Sequence, residues 1–350
     1  MWPSFGVPAQ DYRKNRFSRS LTAGWRSLLF PQKAAQLAEK IERKPDVSVV
    51  VVVYNIPREA PRTLYSLSAA YQRDVDGEDY EVVVVDNGST PPVDPQMIEG
   101  LTGNFRLIRI DHALPSPAQA LNRGLAEARG GVIGVMIDGA RVVTPGLLHF
   151  ARKGARLYDK AVVATLGWYL GPDFQWRSME SEYDRAREDA LLKSIDWPND
   201  GYRLFEIGSM DESSVDGWFK PIAESNALFL RREFWDVLGG LDERFDAPGG
   251  GLLNLDTYNR ALEWPDAQLV VLLGEATFHQ LHGGTNTNIP LVRQHENWTL
   301  WGGQYANIRG RPYEIAQPKH PPTWIGTFPR PMLARFVRAA QQSEQSPIAP

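Results

Sequence analysis

Two aspartates in this 350-residue sequence stand directly after runs of apolar, mostly β-branched residues. Asp86 ends the run YEVVVVD and Asp138 ends VIGVMID, while Asn55 ends a third such run, SVVVVVYN. These runs are typical of strands buried on both faces of a parallel sheet, and ligands bind beyond the carboxyl ends of such strands. A carboxylate there can accept hydrogen bonds from sugar hydroxyls or from the N–H groups of a base. The pattern therefore indicates a nucleoside site, with a plain Asn-Gly turn at Asn87 as the alternative.

Two histidines and a glycine-rich segment offer further chemistry. His279 and His282 stand three residues apart, with neither a third histidine nor a cysteine close by in the sequence, which argues against a structural zinc site. Three adjacent glycines at 249–251 let the backbone approach a ligand or let a lid move. No Gly-Lys-Ser/Thr follows them, so they do not form a Walker loop.

Alternating strand and helix patterns must position these side chains. Predicted strands cover residues 47–54, 80–85, 105–110, 132–137, 222–230 and 267–274. Predicted helices cover residues 116–130, 144–158, 178–195 and 331–340, and a further helix starts with Pro57 and Pro61. A short helix follows the strand at 222–230, and another helix follows the glycine-rich loop. The first four strands alternate with helices, which predicts an α/β fold with a doubly wound, mostly parallel sheet flanked by helices. Asp86 and Asp138 would then lie at the same edge of that sheet.

Composition and charge argue against several classes of protein. The chain has no cysteine, which rules out disulfides and thiolate chemistry and fits a cytoplasmic location. A net charge of −4 argues against nucleic-acid binding. No apolar run reaches the roughly 20 residues that span a bilayer, and the N-terminus lacks the pattern of a secretory signal.

The first 46 residues form a basic segment, with nine Lys or Arg against four acids. We interpret this segment as a helical N-terminal extension and favour an arm packed on the main domain. A peripheral contact of this basic segment with an anionic membrane is the alternative.

Several motifs, in their order and spacing, resemble the family-two glycosyltransferases, which have the GT-A fold. SVVVVVYN resembles their first strand, although Val52 stands where proline is common, and EVVVVDNGST resembles their nucleotide-binding strand. SPAQALNRGLAEARGGVIGVMIDGAR resembles the approach to their Asp-x-Asp motif, and SNALFLRREFWDVLGGLDERF resembles the segment before their catalytic carboxylate. The resemblance covers residues 47–285, with a nucleotide-binding half at 47–165 and an acceptor half at 166–285. Residues 286–350 remain as a C-terminal extension whose last ten residues we expect to be disordered.

The resemblance implies an enzyme that moves a sugar from a nucleotide-diphosphate donor, a UDP-sugar in the first instance, to an acceptor hydroxyl with inversion. Asp86 would hold the base and the ribose. A glycan or lipid-linked acceptor, in bacterial polysaccharide or glycoconjugate synthesis, follows from the habits of the family. The implied nucleotide-binding residues are Tyr54, Asn55, Asp86, Asn87, Asn122, Asp138 and Gly139, and the implied acceptor residues are Trp218 and Asn226.

The Asp-x-Asp motif departs from the family pattern. Its second acid, which would ligate the divalent cation on the diphosphate, is replaced by Ala140. A Mn²⁺ or Mg²⁺ cofactor is therefore an open prediction, with Asp138 and His282 as the implied ligands and His279 as the second histidine candidate. We also expect Arg141 to stabilise charge on the leaving group. The alternatives are a solvated surface arginine and a core histidine with a backbone partner.

The expected catalytic base departs from the pattern as well. Alignment on Arg260 places Asn254 where the family has an acid. Asn254 cannot accept a proton at neutral pH, so Asp256 is the nearest substitute, with Glu224 and Asp242 behind it. A first-turn helix acid is the alternative for Asp256, and a nucleotide-binding or glycan-binding scaffold without turnover is the alternative for the whole protein. A dehydrogenase and a serine hydrolase are poorly supported, because Gly-x-Gly-x-x-Gly and Gly-x-Ser-x-Gly are both missing.

Overall fold

The structure, a computed structural model, describes residues 44–286 and 289–334 of the chain. The strands within these ranges join one sheet. In chain order they are β1 (Val47–Val53), β2 (Tyr80–Asp86), β3 (Phe105–Arg109), β4 (Val132–Met136), β5 (Arg141–Val143), β6 (Ala161–Leu170), β7 (Gly208–Met210), β8 (Leu228–Arg231), β9 (Gln268–His279) and β10 (Thr323–Gly326). The α-helices of the same ranges are α1 (Ala60–Ser66), α2 (Pro95–Glu99), α3 (Ala118–Glu127), α4 (Leu147–Ala155), α5 (Gln175–Glu180), α6 (Arg185–Ser194), α7 (Leu204–Ile207), α8 (Arg232–Leu238), α9 (Leu253–Leu262) and α10 (Leu291–Arg309).

The sheet is mostly parallel. Across it the strands run in the order β10-β9-β6-β8-β4-β1-β2-β3, and the short strands β5 and β7 pair with β9 and β6. Strands β1 to β4 are parallel to their neighbours within that group, as are β6, β9 and β10 within theirs. Strand β8 lies between the two groups and is antiparallel to both β4 and β6. The predicted α/β fold with a mostly parallel sheet flanked by helices is confirmed.

The valine-rich first strand explains why the sheet needs helices on both faces. Every residue of β1 is buried. Val50 and Val52 enter one hydrophobic core, whereas Val49 and Val51 enter a second core on the opposite face. Side chains alternate along a strand, so a strand with apolar residues at every position must be covered twice. Helix α3 contributes to the first core and helix α1 to the second.

The three-residue strand β5 connects two distant parts of the sheet edge. It pairs antiparallel with the end of β9, which places Arg141 opposite His279. The backbone N–H of Gln280 donates to the carbonyl of Ala140 over 2.9 Å. Strands β8 and β6 separate β4 from β9 in the sheet. The β5 pairing nevertheless brings the chain that follows β4, with Asp138, against the end of β9.

Among the longer elements, strand β6 and helix α10 have no counterpart in the predicted set, and strand β9 is longer than predicted. Strand β6 is buried along its whole length but carries Thr165 and Gly167, which interrupt its apolar run. The first half of helix α10 is largely exposed, so it lacks the apolar repeat by which an amphipathic helix is recognised. Strand β9 continues five residues beyond the predicted end at 274, to His279.

The part of the chain that is described from residue 289 onward is continuous with the sheet. Strand β10 pairs with β9, and the described residues from 45 to 334 belong to one compact unit that the predicted boundary at 285–286 does not divide. The predicted N-terminal extension, apart from residues 44–46, and the predicted disordered end lie outside the described residues, as does the predicted helix beyond residue 334. No helix among the described residues is both long and apolar enough to cross a membrane.

Candidate active site

A cavity of about 800 Å³ opens at the carboxyl edge of the sheet. The ends of β1, β2 and β4 form one side of it, the loop before α9 and the segment after β9 form another, and α10 adds a third wall. Most of the side chains singled out in the sequence lie on its surface. They are Tyr54, Asn55, Asn87, Asp138, Gly139, Arg141, Glu224, Asn226, Asn254, His279 and His282.

Cross-links between the ends of β1 and β2 fix one side of the cavity. Asn55 has a left-handed backbone, with φ of 52°, which asparagine tolerates better than most residues. Its backbone N–H donates to Ser89 Oγ over 3.0 Å, and its side-chain Oδ1 accepts from the N–H of Thr90 over 2.8 Å. The two strand ends therefore present a fixed rim.

Asp86 stabilises the loop that follows β2 and does not line the cavity. Its carboxylate is 1% exposed and accepts hydrogen bonds from the backbone of Ser89 at 2.8 Å and of Val93 at 3.1 Å. Arg109 donates a third bond over 2.6 Å. This arrangement does not support the expectation that Asp86 contacts a base directly, because the carboxylate is buried and three protein donors engage its two oxygens. The neighbouring Asn87 lines the cavity instead.

Asp138, His279 and His282 meet at the opposite side of the cavity. Asp138 Oδ2 lies 2.8 Å from His279 Nε2 and 3.5 Å from His282 Nε2. The two Nε2 atoms are 3.0 Å apart. Burial alone would raise the pKa of Asp138, but the adjacent His282 and His279 rings hold it well below its usual range. The three donor groups thus form one electrostatic unit.

His279 is oriented by a side chain that the sequence analysis did not identify. Gln175 Nε2 donates to the backbone carbonyl of His279 over 3.1 Å, so its Oε1 faces His279 Nδ1 at 2.8 Å. A carbonyl oxygen there requires a proton on Nδ1, which leaves the Nε2 lone pair directed toward Asp138. Burial lowers the pKa of His279 to about 4, which keeps the ring neutral and able to bind a cation.

The three residues fit a divalent cation. Their donor atoms all lie within 4.8 Å of one another. Ligand atoms about 2.1 Å from one ion and at right angles around it are about 3.0 Å apart, close to the separations between these atoms. The cluster therefore contains the implied ligands Asp138 and His282 together with His279.

Arg141 brings positive charge to the same wall. It is 5% exposed, which excludes the alternative of a solvated surface arginine. Its nearest acids are Asp138 at 3.8 Å and Asp211 at 3.9 Å, and its contact with Thr277 Oγ1 spans 3.5 Å. Its buried Nε has no hydrogen-bond partner among the described residues. The guanidinium therefore retains donors for an anion in the cavity.

Glu224 is the carboxylate that two asparagines hold at the cavity wall. Asn254 Nδ2 donates to Glu224 Oε2 over 2.6 Å, and Asn226 Nδ2 donates to Oε1 over 3.3 Å. Burial and the nearby charge of Asp211 raise the pKa of Glu224, against the opposing effect of Arg141. A raised pKa makes a carboxylate a better proton acceptor, which suits a general base.

A family profile identifies the domain that contains the first part of this site. Residues 48–214 match the family described as glycosyl transferase family 2. These residues are a family 2 glycosyltransferase domain. The matched segment includes Asp138 and Arg141 and ends before Glu224 and the two histidines. Among curated proteins, no match to the chain was found.

Solved structures of TarS from S. aureus resemble this chain at low sequence identity. TarS 1-349 in complex with UDP is 18% identical, with a TM-score of 0.43, over 75% of this chain and 66% of that one. The complex with UDP-GlcNAc is 18% identical, with a TM-score of 0.45, over 75% of this chain and 67% of that one. A further TarS structure matches over only 40% of its own length. The chain spans just under two thirds of the length of the first of these structures.

Asp256 does not face the cavity, contrary to expectation. Asp256 is fully buried and accepts from Arg260 at 2.9 Å and from Arg309 at 2.6 and 2.7 Å. Arg309 also pairs with Asp242 at 2.8 Å. Two guanidinium groups occupy both of its oxygens, and it does not line the cavity, so it is not placed to contact an acceptor there. Asp242 belongs to the same cluster and does not line the cavity.

Two other expected contacts are also corrected. Trp218 is 3% exposed, donates to the carbonyl of Leu272 over 3.0 Å and packs against Trp168, so it is a core residue and not an acceptor contact. Asn122 uses its amide to hold the turn after α8, bonding the backbone of Leu241 in both directions at 2.9 Å. Neither side chain reaches the cavity.

Two tryptophans of α10 complete the cavity and were not identified in the sequence. Trp298 and Trp301 line it, and the backbone of Gly251 lies against Trp301, where an added Cβ would come within 3.0 Å of the ring. Their spacing of three residues, which places them on one side of a helix, was the available signal. It went unrecognised because the segment was not predicted to be helical.

Proposed function

We propose that the protein transfers a sugar from a nucleoside diphosphate donor to a hydroxyl group of a carbohydrate-containing acceptor. The observation that carries this proposal is the shared cavity, which is lined by the strand ends of the family 2 domain, by Arg141 and by Glu224. Sugar transfer needs a nucleotide site, positive charge beside the departing diphosphate and a base beside the attacking hydroxyl. The cavity offers one candidate for each.

The donor nucleoside is assigned to the rim formed by β1 and β2. Tyr54 lines the cavity with 57% of its surface exposed, so its ring is available to stack on a base. Asn55 and Asn87 lie beside it with fixed backbones. In this proposal Asp86 holds the loop that positions Asn87, and it acts on the donor only through that loop.

The diphosphate is assigned to Arg141. Negative charge grows on the leaving phosphate as the bond to the sugar breaks, and fixed donors aimed at that charge lower the barrier. Arg141 is buried at the cavity wall, and its Nε has no protein partner among the described residues. Burial makes its charge act through a medium of low polarity, where it is more effective than at the surface.

The proton of the acceptor hydroxyl is assigned to Glu224. Asn254 stands at the position of the family acid and donates to Glu224 over 2.6 Å, so a carboxylate from another segment stands beside the usual place of the base. One positioned carboxylate supports direct displacement by the hydroxyl, which inverts the anomeric centre. Glu224 thereby replaces Asp256, the base expected from the sequence.

The acceptor is assigned to the wall made by α10. The rings of Trp298 and Trp301 offer apolar faces of the kind that pack against sugar rings. A second cavity of about 470 Å³ shares Pro248, Thr285 and Trp301 with the first. The combined volume of the two cavities favours a glycan or a lipid-linked glycan over a single sugar.

A scaffold without turnover is the second candidate. Ala140 and Asn254 occupy two positions where the family has acids, and this favours a protein that binds nucleotide or glycan only. The two candidates differ in whether the donor is cleaved.

Donor cleavage tests the proposal directly. UDP and UDP-GlcNAc are the first probes, because they are the ligands of the TarS structures. We expect UDP to raise the melting temperature by mass action and UDP-GlcNAc to be cleaved slowly to UDP with water as acceptor. Glu224→Gln should keep UDP binding and lower cleavage about 10²–10⁴-fold. The exposed Glu233→Gln is the matched control and should leave both unchanged.

Each outcome separates the candidates. Binding of UDP with no cleavage of any UDP-sugar by the wild-type protein would establish the scaffold. Absence of binding by every nucleoside diphosphate and sugar nucleotide would overturn both.

A further inference from the structure

We propose that Arg58 and Glu188 are positioning residues that hold the segment after β9, and with it one wall of the cavity, in the conformation that receives the donor. The binding of a donor at this wall rests on the proposed function, whereas the fixing of the segment does not. Residues 282–286 of the segment line the cavity. Neither Arg58 nor Glu188 does so, and each acts only through the backbone that it binds.

The segment leaves the sheet at the end of β9, so its backbone needs partners other than a strand. The carbonyl of Ala140 still accepts from the N–H of Gln280 over 2.9 Å. At the next residue the partners are charged side chains. Glu188 accepts from the N–H of Leu281 over 2.7 Å, and Arg58 donates to the carbonyl of Leu281 over 3.2 Å. Buried backbone groups are rarely left unpaired, and here both groups of one residue depend on a single ion pair.

The two side chains also bind each other, so their contacts with Leu281 act together. Arg58 Nη2 donates to Glu188 Oε1, while its Nη1 carries the bond to Leu281. The carboxylate of Glu188 is fully buried, and the Arg58 side chain is 22% exposed. Charge-assisted hydrogen bonds are stronger than neutral ones, and a buried charge that loses its partner is strongly destabilised. The segment therefore holds its position before a donor binds.

The ion pair also connects the two walls of the cavity. Arg58 stands three residues after Asn55, which belongs to the rim assigned to the nucleoside. Glu188 lies in α6, and Leu281 directly precedes the residues of the opposite wall. A ligand that reaches from the rim to that wall needs both at a fixed distance. Because the pair sets this distance in advance, little conformational freedom is lost on binding.

Further contacts keep α6 against α1 and against the segment. Arg62 of α1 donates to Asp189 of α6 over 2.6 Å, and Arg185 of α6 donates to the carbonyl of His282 over 2.7 Å. These side chains are more exposed than Glu188, so water can replace their contacts more easily. The buried ion pair is therefore expected to contribute most to the position of the segment.

Hydrogen exchange and UDP binding, measured on the full-length protein well below its melting temperature, test the inference. Glu188→Ala should speed the exchange of the backbone amides from Leu281 to Asn286 by about tenfold, because the segment then opens without global unfolding. It should also weaken UDP binding by about tenfold, since the wall must then be ordered on binding. Glu188→Gln retains a carbonyl acceptor for the Leu281 N–H and should show smaller changes in both. The exposed Glu180→Gln is the matched control and should change neither.

Donor cleavage and a second variant separate positioning from a general loss of stability. Where UDP-GlcNAc is cleaved, Glu188→Ala should raise KM while kcat stays within a few-fold of wild type, as weakened binding of the donor requires. Circular dichroism would confirm that each variant is folded. If Glu188→Ala does not fold, Arg58→Lys supplies the same test, because one ammonium group then replaces the two nitrogens that bind Glu188 and Leu281.

The outcomes separate this inference from the proposed function. Unchanged amide exchange in a folded Glu188→Ala variant would overturn the inference. Faster exchange with wild-type UDP affinity would also overturn it, because the pair would then fix the segment without affecting the ligand. Faster exchange in a protein that binds no nucleotide would leave the fixing of the segment standing and remove the proposed function. Nucleotide binding and cleavage that Glu188→Ala leaves unchanged would do the reverse.

Discussion

Replacing Asp256 with alanine is expected to destabilise the fold while leaving Glu224, the proposed base, in place. The carboxylate is fully buried and accepts three hydrogen bonds, one from Arg260 and two from Arg309. Removing one partner of a buried ion pair costs about 3–5 kcal/mol, because the remaining charge stays buried without compensation.

The remaining contacts of the two arginines place the cost near the lower end of that range. Arg260 keeps its bonds to two backbone carbonyl oxygens at 2.8 and 2.7 Å, and Arg309 keeps Asp242 at 2.8 Å. A loss of about 3 kcal/mol corresponds to a fall in melting temperature of about 6 °C, at roughly 2 °C per kcal/mol for a domain of this size. Asp256→Asn keeps the shape and one carbonyl acceptor, so its melting temperature should fall by less.

Thermal unfolding and donor cleavage, measured on the same preparations, test this reasoning. Cleavage per folded molecule should stay within a few-fold of wild type well below the melting temperature. The exposed Asp236→Ala is the matched control and should change neither quantity. An Asp256→Asn variant that keeps the wild-type melting temperature but loses cleavage a hundredfold would refute the reasoning and return Asp256 to the chemistry.

Three further outcomes follow from the same contacts. Donor cleavage should fall on acidification at a higher pH than an ordinary glutamate would require. Burial raises the pKa of Glu224, and the proposed base acts in its unprotonated form. A pH profile of cleavage that is flat down to pH 5 would contradict this. Burial raises the pKa of Glu275 from 4.5 to about 7, so the folded state favours its proton and loses stability as the pH rises toward that value. Denaturant unfolding should therefore show Glu275→Gln gaining up to about 3 kcal/mol relative to wild type between pH 5 and pH 8, and a difference independent of pH would count against it. Gly251 has φ of 55° and abuts Trp301, so Gly251→Ala should cost about 1–3 kcal/mol in chemical unfolding and shift tryptophan fluorescence. Gly303→Ala is the control and should do neither, because Gly303 lies within helix α10 and nothing lies within 4 Å of the added carbon.

The parts of the fold that could be predicted from the sequence are those encoded locally. The valine runs of β1 and β2 identify buried parallel strands without further information, and the polar residue after each run indicates the ligand edge. The first half of α10 carries no such local signal, because its side chains face solvent and need no apolar repeat. Its two tryptophans were therefore missed along with the helix.

The candidate site depends on pairings between residues far apart in the chain, and these could not be derived from the sequence. Asp256 resembles a catalytic acid until Arg309, 53 residues later, is seen to hold it. The sequence places His279 behind His282 as a candidate, because it does not reveal the extension of β9 or the pairing of β9 with β5. The sequence favours Asp256 over Glu224, because the contact of Glu224 with Asn254 joins segments that are 30 residues apart.

The short strand β5 also constrains any attempt to redesign this part of the protein. Its three residues pair one to one with the end of β9, and neighbouring residues of a strand point to opposite faces. One residue inserted between Gly139 and Arg141 would turn the arginine away and shift Asp138 relative to His279 at the same time. Grafting Asp138, Arg141 and His279 into another scaffold would therefore require β5 and β9 to be moved together. Exchanging individual side chains on these two strands would leave their pairing intact.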